Sequence, residues 1–152
     1  MRLLALASVL TLGLAIPASA AVSGGGLQSA IKVVRSKGYC VDSTRTWERS
    51  PTFRLNVLIG TFCKSADGYN KRAFFFYGAR YLGTDAARPS AQLEEMWRDD
   101  RTIALLYVLY RMRDPLCCPT GGGTIVRFHW NGKRLVALDR IPTDDFNAPI
   151  HR

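Results

Sequence analysis

Apolar and polar residues alternate along much of the chain, and this two-residue period is typical of β-strands. In FRLNVLIGTF (53–62), Leu55, Val57 and Ile59 share one face, while Leu58 lies on the other. The segment therefore predicts a strand.

The segment KRAFFFYGARYLGT (71–84) predicts a β-hairpin that bends at Gly78. Along its first strand, Phe74 and Phe76 face one side and Phe75 faces the other. Both faces of this strand thus carry aromatic side chains.

Two further segments differ in how clearly they predict a strand. TIALLYVLY (102–110) is apolar on both faces, which favours a central strand over an edge strand. The apolar positions of 91–98 fit either a short helix or a strand, and we favour the strand.

The last hairpin has the clearest pattern. TIVRFHW (124–130) places Arg127 and His129 on one face, and Asn131-Gly132 predicts a tight turn into the next strand. The opposite face carries Val126, Phe128 and Trp130.

Helical periodicity occurs once, in LQSAIKVVRSKGY (27–39), with Gly38 as the stop signal. Its apolar stripe consists of Leu27, Ala30, Ile31 and Val34. The sequence therefore predicts an α+β fold in which one N-terminal helix packs on an antiparallel sheet of five or six strands, stapled by disulfides.

The first twenty residues have the organisation of a secretory signal peptide. Arg2 is followed by the apolar run 3–16, and the pattern that ends at Ala20 predicts cleavage there. Residues 21–26 then form a flexible N-terminus, and 27–142 form a single domain. The polar segment 143–152 is predicted to be a loose surface tail.

The chain is basic, with 21 Lys and Arg against 12 Asp and Glu and a formal net charge of +9. Such a charge in an exported protein favours an anionic envelope polymer, lipid headgroups or an envelope protein as partner. No nucleic-acid-binding motif is present, so we expect no nucleic acid partner. The basic residues are scattered along the sequence, which favours an ordinary solvated surface over a dedicated patch. The pattern predicts no particular oligomeric state.

Four cysteines in an exported domain favour two disulfides. A bond between the adjacent Cys117 and Cys118 would close a strained ring, so it is disfavoured. We therefore expect the doublet to bind Cys40 and Cys63, one each, in either of the two possible pairings.

No catalytic motif, metal-ligand spacing or cofactor fingerprint occurs, so the sequence predicts neither enzymatic activity nor a metal or cofactor. The prediction is an exported, non-enzymatic binding module whose exposed hairpin faces present Arg80, Arg127, His129 and Lys133. Two alternatives remain: a thiol–disulfide redox protein that uses the Cys117–Cys118 doublet, and a secreted protein inhibitor.

Two long segments, SADGYNKRAFFFYGARYLGTD (65–85) and DDRTIALLYVLYRMRDPLCCPTGGGTIVRFHWNGKRLVAL (99–138), resemble the LppP/LprE lipoprotein family of actinobacterial cell envelopes. The most specific elements are YRMRDPLCCPTGG and VRFHWNG. The resemblance covers about residues 55–142 and implies a small extracytoplasmic domain without an established activity.

The sequence departs from this family at the end of the leader. Lipoproteins carry a lipid-modified cysteine at that point, whereas Ala21 stands there and the first cysteine is Cys40. We therefore expect a secreted or periplasmic protein that is not lipid-anchored.

Overall fold

The computed structural model describes residues 25–49 and 52–152. The predicted signal peptide and residues 21–24 of the predicted flexible N-terminus lie outside the described residues. Residues 25 and 26 already belong to the first helix, two residues before the predicted start.

The chain forms helices and strands in the order α1 (Gly25–Ser36), β1 (Tyr39–Val41), α2 (Arg45–Arg49), β2 (Leu55–Phe62), β3 (Lys71–Tyr77), β4 (Arg80–Thr84), β5 (Leu93–Arg98), β6 (Thr102–Arg111), β7 (Gly122–Trp130), β8 (Leu135–Ala137) and β9 (Ile150–His151). The predicted strand at 91–98 is confirmed as β5, and Gly38, with a φ of 84°, follows α1 as predicted. The three-residue β1 and the five-residue α2 were not predicted, because so short a segment shows no period.

The strands form two antiparallel sheets, which we call sheet A and sheet B. Sheet A has the order β1-β2-β3-β4, and sheet B has the order β5-β6-β7-β8 with β9 paired to β6. The predicted α+β class is confirmed, and β6 is central as expected. The prediction of a single sheet of five or six strands is wrong, because alternation identifies strands but not which of them share hydrogen bonds.

Sheet A is the middle layer of the molecule, and its strand β3 has apolar side chains on both faces. Phe75 enters the core between the two sheets, where its ring lies 4.9 Å from that of Phe128. Phe74 and Phe76 enter a second core beneath the helices, which also contains Val34 and Trp47. The core between the sheets is formed by Leu55, Val57, Ala73, Phe75, Leu93, Ile103, Leu105, Tyr107, Val126, Phe128 and Trp130.

The C-terminal segment is not the loose tail that its polar sequence predicts. Ile150–His151 pairs with β6, and Arg152 is only 5% exposed. The Arg152 guanidinium donates to the carbonyls of Pro142, Arg88 and Pro89 and to Ser90 Oγ. A guanidinium has five donors, so one side chain can fix several loops, and hydrophobic periodicity gives no sign of such a contact.

The disulfide pairing also differs from the prediction. Cys40 is bonded to Cys63, with their Cα atoms 5.0 Å apart, while Cys117 and Cys118 are unbonded and exposed. The reason is the register of β1 on β2, which places Tyr39 opposite Phe62. Cys40 directly follows Tyr39 and Cys63 directly follows Phe62, so this register brings the two cysteines together. The doublet belongs to the connection between β6 and β7, in the other sheet.

We predict that the disulfide contributes to stability and that the doublet does not. Replacing Cys40 and Cys63 by serine should lower the free energy of unfolding by about 3 kcal/mol, because the unfolded chain loses a cross-link across a separation of 23 residues. Urea unfolding monitored by tryptophan fluorescence measures the change.

The matched control is the pair Cys117→Ser and Cys118→Ser, which should change the free energy of unfolding by less than about 0.5 kcal/mol. Equal losses from the two double variants would contradict the pairing described above.

Candidate functional site

Five exposed cationic side chains converge at one end of the two sheets. We call this surface the basic end, and it consists of Arg54, Arg80, Arg101, Lys133 and Arg134. They come from four separate places in the chain: the segment before β2, the first residue of β4, and the turns that join β5 to β6 and β7 to β8. Sequence analysis singled out Arg80 and Lys133 but did not group the five residues, because the strand pairing alone brings the turns together.

Backbone hydrogen bonds hold these turns in place. The Gly78 N–H, in the β3–β4 turn, donates to the Arg54 carbonyl at 2.7 Å, and the Trp130 N–H donates to the Arg101 carbonyl at 2.7 Å. Gly78 has a φ of 58°, which glycine adopts readily and other residues rarely do. The cations are therefore presented by fixed turns.

Two aromatic rings form the floor of the basic end. The rings of Tyr77 and Trp130 lie 5.4 Å apart. The Arg54 guanidinium lies 5.8 Å above the Tyr77 ring, and the Arg80 guanidinium lies 5.6 Å above the Trp130 ring. These cation–π contacts orient two of the five cations without neutralising their charge.

The carboxylates nearest to the basic end are occupied by backbone groups. Asp99 Oδ1 accepts from the N–H groups of Arg101 and Thr102, and Asp100 Oδ1 accepts from the Arg54 N–H. Within residues 25–49 and 52–152, none of the five cations forms an ion pair. The five cations outnumber these two carboxylates, so the surface keeps a net positive charge.

The other two candidate contact residues, Arg127 and His129, lie on the outward face of sheet B. The Arg127 side chain and backbone N–H both donate to the Asp139 carboxylate, with Nε 2.8 Å from Oδ2. These hydrogen bonds lower the pKa of Asp139 to about 2. His129 Nδ1 lies 3.1 Å from Thr102 Oγ1. Arg127 is thus neutralised by its partner, and the structure does not bring these two residues into the basic end.

The cysteine doublet lies at the opposite end of sheet B, on a loop that Asp114 closes. Asp114 Oδ2 accepts from the N–H groups of Arg111 and Thr120 at 2.8 and 2.6 Å, and these bonds lower the pKa of Asp114. The next residue after the loop, Gly121, has to be a glycine, because a Cβ there would lie 2.6 Å from the Leu109 carbonyl oxygen. Glycine at this position thus allows the chain to pass Leu109 and return into β7.

A cavity of about 360 Å³ lies beside this loop. Four of its twelve lining residues are aromatic, Tyr69, Tyr110, Phe146 and His151, and the loop contributes Met112, Asp114 and Leu116. Sequence analysis missed this cavity because its residues come from the β2–β3 loop, β6 and the C-terminal segment, which are distant in sequence. Among the described residues, no three or more His, Cys, Asp or Glu side chains are grouped so that they could hold a metal ion.

Comparison with known proteins identifies the domain. The family model for LppP/LprE lipoproteins matches residues 48–133, which is more than half of the chain. The chain belongs to the LppP/LprE lipoprotein family. The matched region of this LppP/LprE protein contains the cysteine doublet and every residue of the basic end except Arg134. No curated protein and no solved structure matched the chain.

Family membership associates the chain with the cell envelope, and the Cys40–Cys63 disulfide fits an extracytoplasmic location. In the part of the chain that the structure describes, every helix is too short or too polar to cross a bilayer.

The LppP/LprE domain also buries the carboxylate of Asp85, which is 5% exposed. Asp85 Oδ1 accepts from the Ala73 N–H and Oδ2 accepts from the Tyr107 hydroxyl, both at 2.9 Å. The bonds join sheet A to β6 of sheet B. Burial raises the pKa of Asp85, since removal from water penalises the charged form more than these bonds favour it.

We predict that Asp85 stabilises the fold as an acceptor and not as a charge. Asp85→Leu should lower the free energy of unfolding by about 2–5 kcal/mol, because the Ala73 N–H and the Tyr107 hydroxyl would both lose their partner. Asp85→Asn keeps an oxygen for Ala73 and should cost much less. Urea unfolding measures both variants. If they lost the same free energy of unfolding, side-chain shape and not hydrogen bonding would determine the stability at this site.

The raised pKa of Asp85 also predicts the sign of a pH effect. Between the ordinary value of 3.8 and the raised value, the folded protein holds this proton and the unfolded chain does not. The stabilising contribution of neutral Asp85 is therefore present at low pH and is lost as the pH rises through its folded pKa.

The amide of the Asp85→Asn variant does not titrate in this pH range, so its contribution to stability does not change with pH. The stability of the wild type relative to Asp85→Asn should therefore fall as the pH rises from 3.8. Unfolding curves of both proteins over a pH series measure this difference, and a difference that does not vary with pH would contradict the assignment.

Proposed function

We propose that this protein is a non-enzymatic binding module of the cell envelope that contacts anionic lipid headgroups through its basic end. The observation that carries the proposal is the convergence of five exposed cations without an ion-pair partner on one set of turns. An excess of one charge sign on one surface attracts a surface of the opposite sign.

The chemistry of the basic end suits phosphate groups. Four of its five cations are arginines, and a guanidinium offers paired donors that match phosphate oxygens. Two of these arginines rest on aromatic rings, which restricts their motion and so lowers the entropy lost on binding.

The shape of the surface favours an extended partner over a small enclosed ligand. The cations lie on turns and at the start of a strand, and none of them lines the cavity beside the cysteine doublet or a second cavity beside Asp42 and Lys71. An array of exposed cations at turn tips can meet many headgroups at once, as on an anionic membrane. The net charge of +9 also favours attraction of the whole chain to an anionic surface.

The non-enzymatic part of the proposal rests on the surroundings of the two histidines in the sheets, His129 in β7 and His151 in β9; neither ring is hydrogen-bonded to a carboxylate among the described residues. His129 lies on an open sheet face beside Thr102. A catalytic histidine usually has both a partner to orient it and a pocket for substrate.

We predict that neutralising the basic end abolishes most binding to anionic vesicles. In the triple variant Arg101→Ser, Lys133→Ser, Arg134→Ser, the removed side chains make no hydrogen bond or ion pair among the described residues, so the fold should persist. Each cation near an anionic surface contributes about 1 kcal/mol, so binding should weaken about 100-fold. Cosedimentation with vesicles that contain phosphatidylglycerol measures the loss.

The control variant is Lys32→Ser, Lys64→Ser, Arg113→Ser, which removes the same charge from exposed positions outside the basic end. It should retain most of the binding, and wild-type binding should decline with added salt. If both variants lost the same amount of vesicle binding, the net charge of the protein and not the basic end would explain the binding. Binding to soluble polyphosphate but not to vesicles would show that the partner is an anionic polymer and not a lipid.

A further inference from the structure

The Cys117–Cys118 doublet carries a second inference, which is independent of the lipid contact proposed above and would replace the non-enzymatic part of that proposal. We propose that these two residues form a reactive dithiol that exchanges with disulfides of extracytoplasmic polypeptides, cycling between two thiols and a Cys117–Cys118 disulfide. Four observations support this: the cysteine count, the frame of the loop, the strain of the oxidised form and the neighbouring cavity.

The doublet has no other cysteine to bond with inside the chain. The sequence contains four cysteines, and Cys40 and Cys63 are bonded to each other. Cys117 and Cys118 are both exposed, so other molecules can reach their sulfurs. In a compartment where disulfides persist, an exposed pair of thiols is a substrate for thiol–disulfide exchange.

The loop holds the pair in a defined frame. Asp114 accepts hydrogen bonds from both the entry and the exit of the loop, at Arg111 and Thr120, and the Cys118 N–H donates to the Pro115 carbonyl at 3.0 Å. Prolines flank the doublet on both sides, and a residue that precedes proline has a restricted backbone. The two thiols therefore stay adjacent and exposed.

The oxidised form of such a pair is strained, and strain makes a disulfide reactive. A bond between neighbouring residues departs from ordinary disulfide geometry, and strained exposed bridges are the labile ones. Cys40 and Cys63 instead join two paired strands and should remain bonded under conditions that reduce the doublet.

The roles of the two sulfurs differ. A hydrogen bond with Cys117 is the largest cause of a raised pKa at Cys118, so Cys118 retains its proton to higher pH. Cys117 also directly follows Leu116, which lines the neighbouring cavity, so we place the first attack at Cys117 and the second step at Cys118.

The step balances as a two-electron exchange. The Cys117 thiolate attacks one sulfur of the partner disulfide, the partner S–S bond breaks, and one partner thiolate leaves and takes up a proton. Cys118 then loses its proton and attacks Cys117 Sγ, which breaks the mixed disulfide and releases the second partner thiol. The doublet has given two electrons and two protons to the partner, and the reverse sequence returns them.

The cavity beside the loop gives an approaching polypeptide an apolar surface next to the thiols. Leu116 lines it and directly precedes Cys117, and the Tyr110 hydroxyl, from the same wall, donates to the Leu116 carbonyl at 3.0 Å. Burial is the largest cause of the raised pKa of Tyr110, and the charges of Tyr69, Asp114 and the two neighbouring thiols add to it.

The experiment uses the full chain and the chromogenic disulfide dithiobisnitrobenzoate as the partner. In the wild type, both equivalents of coloured thiol should be released while the chain retains no adduct and loses two hydrogen atoms. Cys118→Ser should stop after the first step and keep one adduct, and Cys117→Ser should react at least several-fold more slowly. Mass spectrometry of non-reduced peptides should place the new bond between residues 117 and 118 and find Cys40–Cys63 unchanged.

Two results would overturn the inference. One is a wild type that carries an adduct on each cysteine, since the thiols would then react independently. The other is a doublet that fails to react while the unfolded chain does. As a second measurement, glutathione buffers of graded redox poise should reduce the doublet before they reduce Cys40–Cys63, and the opposite order would also contradict it.

Discussion

Sheet A has to be covered on both of its faces, and the rest of the structure depends on this requirement. Strand β3 directs Phe75 to one side and Phe74 and Phe76 to the other, and all three are fully buried. Burial of an aromatic side chain contributes a few kcal/mol, so exposing either face would consume much of the stability of a small domain. One face is covered by α1 and α2, and the other requires a second sheet.

Stacking the two sheets places turns from both at the same ends of the molecule. At one end the turns present the cations of the basic end over the paired rings of Tyr77 and Trp130. At the other end, the β2–β3 loop, the β6–β7 loop and the C-terminal segment surround the cavity next to Cys117 and Cys118. Electrostatic contact and thiol chemistry can therefore occupy opposite ends of one rigid frame without competing for the same surface.

The sequence was informative where a regular period exists. It predicted α1, the long strands and the two-sided character of 71–77, because each rests on the local geometry of the backbone. It did not predict the pairing of Cys40 with Cys63 or the division into two sheets, since both depend on which strands share hydrogen bonds. It also missed the anchoring of Arg152, which polar contacts alone provide, and the basic end, whose residues meet only through the fold.

The order of the strands has a consequence for how the chain folds. Within the described residues, every strand pairing except β6–β9 joins strands that follow each other in the sequence, so each sheet is assembled from one continuous stretch. Short loops close quickly, and the hairpins of each half can form before the halves meet. Docking of the sheets is then the late step, and until it occurs the faces around Phe75 and Phe128 are open to water. A newly made chain is therefore most prone to aggregate in that interval, which ends when the Asp85–Tyr107 hydrogen bond joins the two halves.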